Sequence, residues 1–201
     1  MICGDGDGVM ILHTGGAKGA DFFFAREMLS AGEVAILHSF DGHNPNVSGL
    51  SGYKILRHSK DELFNEAWPA YEKANQVLKR HVPRKEYVRN LILRDYFQIK
   101  DSEYVFAVAP MDSEKTVAGG TGYAVQMAID KEIPVILFDD NRSFTWHYFS
   151  YKYNRFMQVN HSPERGYALS LTKENITGIG SRNISQTGAS AIRLLFAKSD
   201  T

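Results

Sequence analysis

The sequence predicts an α/β protein built on a doubly wound, mostly parallel sheet, and three observations predict it. Short apolar runs rich in β-branched residues recur along the chain, as strands buried on both faces do. Segments of helical length and period lie between them. Three corners join such a strand to a helix through clustered glycines.

The elements follow in order. "VMILH" (9–13) is a first strand and 18–31 its helix; "EVAILH" (33–38) is the second strand. The stretch "FDGHNPNVSGLSGY" (40–53) has the Gly, Asn, Pro and Ser density of a loop, and its length suggests a flap rather than a connector. Ser59 and Asp61 open a helix over 59–79, in which Leu63, Ala67, Ala70, Tyr71, Ala74 and Leu78 recur at helical spacing. Pro69 inside that run should bend or split it. A helix over 84–98, a strand "YVFAVA" (104–109), a helix over 122–131 and a strand "IPVILF" (133–138) come next. "SFTWHYFSYKYNRFMQVN" is densely aromatic and reads as a short helix or a strand pair serving core or oligomer contact. "NITGIG" (175–180) is a weaker fifth strand, followed by a helix over 185–197. We read one domain over 1–201, with 139–174 as an aromatic connector and 175–201 as a closing strand and helix.

Composition narrows the class. Lys plus Arg number 23 and so do Asp plus Glu, so the net charge is zero and no whole-molecule field steers the chain to nucleic acid or anionic membrane. Cys3 is the single cysteine, which excludes an internal disulfide and fits a reducing compartment. No run approaches the roughly 20 apolar residues that span a bilayer, and a soluble cytoplasmic protein is expected. The histidines at 13, 38, 43, 58, 81, 147 and 161 lack metal-ligand spacing, and "GDGDG" (4–8) lacks the later ligands of a calcium loop. Neither a metal nor a cofactor is expected.

The glycine corners carry the functional reading. They are Gly15, Gly16, Ala17, Lys18, Gly19 and Asp21; then Gly119, Gly120, Thr121 and Gly122; then Gly178, Gly180, Ser181 and Arg182. Beyond the carboxyl ends of parallel strands, helix N-termini present unpaired amides, and glycine lets backbone come close to a phosphate. One such corner is commonly only a tight turn. Three of them suggest one phosphate-lined pocket.

"HTGGAKGAD", "GGTGYAV" and "TGIGSR" resemble the signature loops of the SLOG superfamily, Rossmann-like domains that include phosphoribohydrolases of the LOG type, Smf-type DNA-processing proteins and many small phage and bacterial proteins. In that family the "TGIGSR" strand and helix come first, whereas here 176–197 close the chain. The resemblance therefore implies a circular permutation, with the first strand beside the one at 175–180 and the two chain ends close together. It also implies a homo-oligomer with the ligand near the interface, acting in the cytoplasm, or in the host cytoplasm if phage-encoded.

In LOG-type enzymes a glutamate follows the second corner and is implicated in cleaving an N-glycosidic bond; Gln126 stands there in this chain. A carboxamide cannot serve as general base. Asp21 could supply the missing acid, although an acidic residue in a first helical turn is favoured on electrostatic grounds alone; nothing in the spacing selects Glu27 or Glu66. Arg89 and Asn90 match the family's Arg-Asn pair and, with Arg182, are the expected phosphate and hydroxyl contacts; Arg94 is a second choice. Lys79, Arg80, Arg84 and Lys85 read as a solvated helix face. The leading expectation is thus a protein that senses or sequesters a nucleotide or nucleotide-derived signalling molecule. The alternatives are a nucleoside 5′-monophosphate N-glycosidase acting through Asp21, and Smf-like DNA binding, against which the zero net charge argues.

Overall fold

In the computed structural model, which describes residues 9–160, 167–170 and 175–197, strand β1 (Ile11–Thr14) runs through the first glycine corner into helix α1 (Ala20–Ser30). Strands β2 (Val34–Phe40) and β3 (Lys54–His58) follow. A short α2 (Lys60–Glu62) continues through a π-helical turn (Leu63–Ala67) into α3 (Trp68–Leu78). Then come α4 (Glu86–Ile99), β4 (Tyr104–Ala109), α5 (Thr121–Asp130) and β5 (Val135–Asp139). The strands β6 (Trp146–Ser150) and β7 (Arg155–Gln158), a 3-10 turn (Tyr167–Ser170), β8 (Asn175–Gly180) and α6 (Gln186–Phe196) complete the order. Cys3, the 4–8 turn, His161 and the expected meeting of the chain ends lie outside the described residues.

Among the described residues the strands form one sheet in the order β3-β2-β1-β8-β4-β5-β6-β7. The first six in that order pair parallel, and β6 and β7 add antiparallel. Strand β8, last in sequence, pairs with both β1 and β4 at the middle of the sheet. Helices α1 and α6 pack on one face over a core that includes Leu12, Phe24, Met28 and Ile192. Helices α3, α4 and α5 pack on the other, over Leu93, Phe97, Val125 and Leu137. The fold is α/β with helices on both sides of a mostly parallel sheet, a Rossmann-like layout.

One departure from expectation, at the 41–53 loop, and two expectations that are met have physical reasons. The 41–53 loop is a connector and not a flap: β2 and β3 pair parallel, so the chain must return to the start of the next strand, which takes about a dozen residues. It is tied down by the Asn46 amide donating to Gly16 O at 2.7 Å, with Val47, Leu50 and Tyr53 packed on the core. Pro69 marks a division of the helical run, standing in the first turn of α3 just after the π-helical turn. It has no amide hydrogen for the carbonyl four residues back, and the π-helical turn ahead of it absorbs the mismatch. The aromatic segment resolves into the strand pair β6–β7, burying Trp146, Phe149 and Phe156.

Candidate functional site

A cavity of about 590 Å³ opens beyond the carboxyl ends of β4 and β8. It lies between the loops that lead to α1 on one face of the sheet and to α5 on the other, where an open parallel sheet leaves a crevice. The first corner gives it Ala17 and Asp21, the second Gly119, Gly120 and Thr121, the third Gly180, Ser181 and Arg182.

The first and third corners are built against each other. The Ala20 amide donates to Ser181 O at 3.0 Å, and the Ser181 amide donates to Val108 O at 2.9 Å. Gly19 has φ 85°, and a Cβ there would run into the carbonyls of Ser181 and Arg182, so the N-cap of α1 must be glycine for the corners to touch. The Asp21 carboxylate bridges them, accepting from the Gly180 amide at 3.1 Å and from the Ala17 amide at 3.4 Å. Those amides are the ones a ligand anion would otherwise use. Asp21 is 2% exposed, and burial pushes its carboxyl up to about 6, aided by the nearby Asp95 charge and opposed by Arg94 and the two amides.

The second corner is left open. Among the described residues the Gly120 and Thr121 amides have no hydrogen-bond partner, and they stand at the N-terminus of the ten-residue α5. Arg182 is exposed, lines the same cavity and makes no hydrogen bond or ion pair among the described residues. Arg80 braces this corner from the loop after α3. Its guanidinium donates to Val117 O at 2.6 Å, Gly119 O at 2.8 Å and Asp112 Oδ2 at 2.9 Å. The reading of Arg80 as part of a solvated face is therefore corrected, and Gly122 lacks a side chain where Arg80 and Val117 O come close.

Helix α4 forms the remaining wall. Val88, Leu91, Ile92 and Asp95 fall at i, i+3, i+4 and i+7 and line the cavity as one stripe, with Arg94 beside them. Arg94, 4% exposed, donates to Gly15 O at 3.0 Å and to Asp95 Oδ1 at 2.7 Å, while its Nε has no partner. Asp95 also accepts from Gln98 Nε2 at 2.8 Å, and burial raises its carboxyl pKa against the pull of Arg94.

The other expected contacts are not among the lining residues. Arg89 sits over the rings of Phe64 and Trp68, at 5.5 and 5.9 Å, off the α4 stripe. Asn90 is buried with its Oδ1 unpartnered. Gln126 donates to Asp130 Oδ1 at 2.9 Å, one turn along its own helix. Gly15 lies against the Arg94 guanidinium, Gly16 against Pro45 and Leu37, and Gly178 against the Phe24 ring, so these three serve close packing. Lys18 points to solvent-exposed surface. Glu27 pairs with Arg26 and Glu66 with Lys100. Asp95 is the charged lining residue that the sequence reading misses, although the apolar stripe at 88, 91 and 92 is the signal that finds it.

Fold and cavity together define an α/β protein of Rossmann-like layout with a ligand-sized crevice at the strand ends. Compared with known proteins, the chain matches no family model, no curated protein and no solved structure. Among the described residues no helix is long and apolar enough to cross a membrane.

Proposed function

We propose that the cavity binds a nucleotide or nucleotide-derived small molecule, and that the protein acts in the cytoplasm as a sensor or sequestering module. One observation carries the reading: the unpartnered Gly120 and Thr121 amides and the Arg182 guanidinium share a cavity with the apolar wall of Val88, Leu91 and Ile92. Amides at a helix N-terminus and a guanidinium suit a phosphate; an apolar wall suits a flat base. The volume falls within the roughly 300–1,000 Å³ usual for small-molecule sites. The SLOG-like permutation gains support from the strand order. If β8 is counted first and the edge strand β3 is left out of the count, the core runs 3-2-1-4-5 from β2 to β5, as in Rossmann-type sheets.

Isothermal titration with AMP, CMP, ADP-ribose and cyclic dinucleotides tests this. At least one binds, and Arg182→Ala weakens that binding about tenfold or more, as loss of a charged hydrogen bond does. No binding of any phosphate-bearing compound at millimolar concentration overturns it.

A second reading, N-glycosidase activity on nucleoside monophosphates, is favoured by the two buried carboxyls in the cavity. A carboxyl near pKa 6, as at Asp21, can give a proton to a leaving base near neutral pH. Release of free base from AMP, CMP or their deoxy forms, lost in Asp21→Asn, would establish it; no release from any of them would exclude it. We further propose a homo-oligomer contacting through Phe144, Tyr148, Tyr151 and Tyr153, which stay exposed around β6 and β7. Light scattering after size exclusion reads the mass, and a monomer contradicts it.

A further inference from the structure

Three histidines that are unrelated in sequence form one hydrogen-bonded file across the sheet. The strand registers place them. His13 pairs with Ile36, two residues before His38; His38 pairs with Leu56, two before His58; and Asn175 pairs with Ile11, two before His13. Residues two apart on a strand share a face, so the four side chains step diagonally along one side. His13 Nδ1 lies 2.9 Å from His38 Nε2, and His38 Nδ1 lies 2.9 Å from His58 Nε2. His13 Nε2 closes the inner end at 3.1 Å from Asn175 Oδ1. At the outer end His58 Nδ1 is 4.0 Å from Glu62 Oε1. Helix α4 covers the file, with the Phe97 ring stacked on His58 at 3.8 Å between centroids.

The Asn175 oxygen sets the direction of every bond. It can only accept, so His13 Nε2 donates and His13 Nδ1 must accept. His38 Nε2 then donates and its Nδ1 accepts from His58 Nε2. His58 Nδ1 is the single ring nitrogen left with an open lone pair.

We infer that the file is an acid switch beneath α4: it takes one proton at His58 Nδ1 without rearranging, and a second proton, on His13 or His38, breaks it. The first proton leaves every donor in place and faces Glu62. The second would turn an accepting nitrogen into a donor aimed at another donor, in a row where His13 and His38 are buried. The surrounding charges are divided, so the hydrogen-bond order decides: Asp101 favours a proton on His13; Arg94 and Lys100 oppose one on His38; Glu62 and Glu66 favour one on His58, while Lys100 and Arg94 oppose it. Helix α4 rests on the file through Phe97 and carries Arg94 and Asp95 into the cavity, so breaking the file unseats the cavity wall. The inference stands whether or not the ligand is a nucleotide.

Nitrogen-15 NMR of the full chain with labelled histidine tests it, with signals assigned by single substitutions. At pH 7.5 all three rings are Nε2–H tautomers. As pH falls His58 alone titrates, and His13 and His38 stay neutral until the folded signals are lost together. An Nδ1–H tautomer at His13 or His38, or independent titration of either near pH 6.5 with the fold intact, overturns the proposal. His58→Gln should remove the first step and leave the other two tautomers unchanged. In His38→Leu the melting temperature should fall less between pH 6.5 and 5 than the drop of about 5 °C or more expected of the unsubstituted chain. If that variant does not fold, the spectra of the unsubstituted protein still decide.

Discussion

Asp21 occupies the place where a glycine-rich corner would ordinarily hand its amides to a ligand. Its oxygens accept from Ala17 and Gly180, so a bound phosphate is turned toward the α5 N-terminus and Arg182. Its ionisation also leaves a signature. Burial holds its carboxyl at about 6, above the ordinary aspartate value, so the group contributes stability below pH 4 that is lost as pH rises through 6. That difference is worth roughly 3 kcal/mol. Urea denaturation at pH 4, 5, 6 and 7 should show that downward contribution in the unsubstituted chain, and Asp21→Asn should lack it. Equal pH slopes in the two proteins would contradict the assignment.

At the scale of elements, the open corner depends on α5 being held in place by a residue of another helix's end. Arg80 reaches Val117 O and Gly119 O across more than thirty residues of sequence, and with Asp112 it fixes where the free amides point. Arg80→Ala should weaken ligand binding about tenfold, measured by titration, while the melting temperature shifts by no more than about 3 °C, because the ion pair with Asp112 is half-exposed. A collapse in stability with unchanged affinity would make Arg80 a purely structural residue. These elements also show what sequence can and cannot tell. Strand β4 is legible to the residue because a buried parallel strand reads as an unbroken apolar run, whereas β8, broken by Asn175, Thr177 and two glycines, is legible through its glycine corner. Strand β3 is not, since an edge strand with Ile55 and Leu56 both exposed has no alternation to read. On α4 the Arg89-Asn90 pair drew attention by resemblance, but the apolar period selects Val88, Leu91, Ile92 and Asp95. Arg80 was hidden because a basic run looks solvated until its distant carbonyl partners are known.

For the whole molecule, the late strand β8 completes the sheet between β1 and β4, so the first and third corners meet only once the end of the chain has folded. Buried histidines and buried carboxyls then pull stability in opposite directions. Burial lowers the pKa of His13, His38, His43 and His58, so their neutral forms contribute stability above about pH 6.5 that is lost as pH falls. The raised carboxyls of Asp21 and Asp95 act the other way. Thermal unfolding from pH 4.5 to 8 should therefore be steeper on its acid side, where four histidines act against two carboxyls; a monotonic rise in stability toward pH 4.5 would contradict it.

The central claim is that an anion docks on the open second corner. A crystal structure of the protein soaked with the tightest-binding nucleotide from the titration panel tests it most directly. The account predicts phosphate density within hydrogen-bond distance of the Gly120 and Thr121 amides and of Arg182, with the base on the Val88–Ile92 wall. A phosphate bound away from that corner, or a cavity still empty at saturating nucleotide, would contradict it.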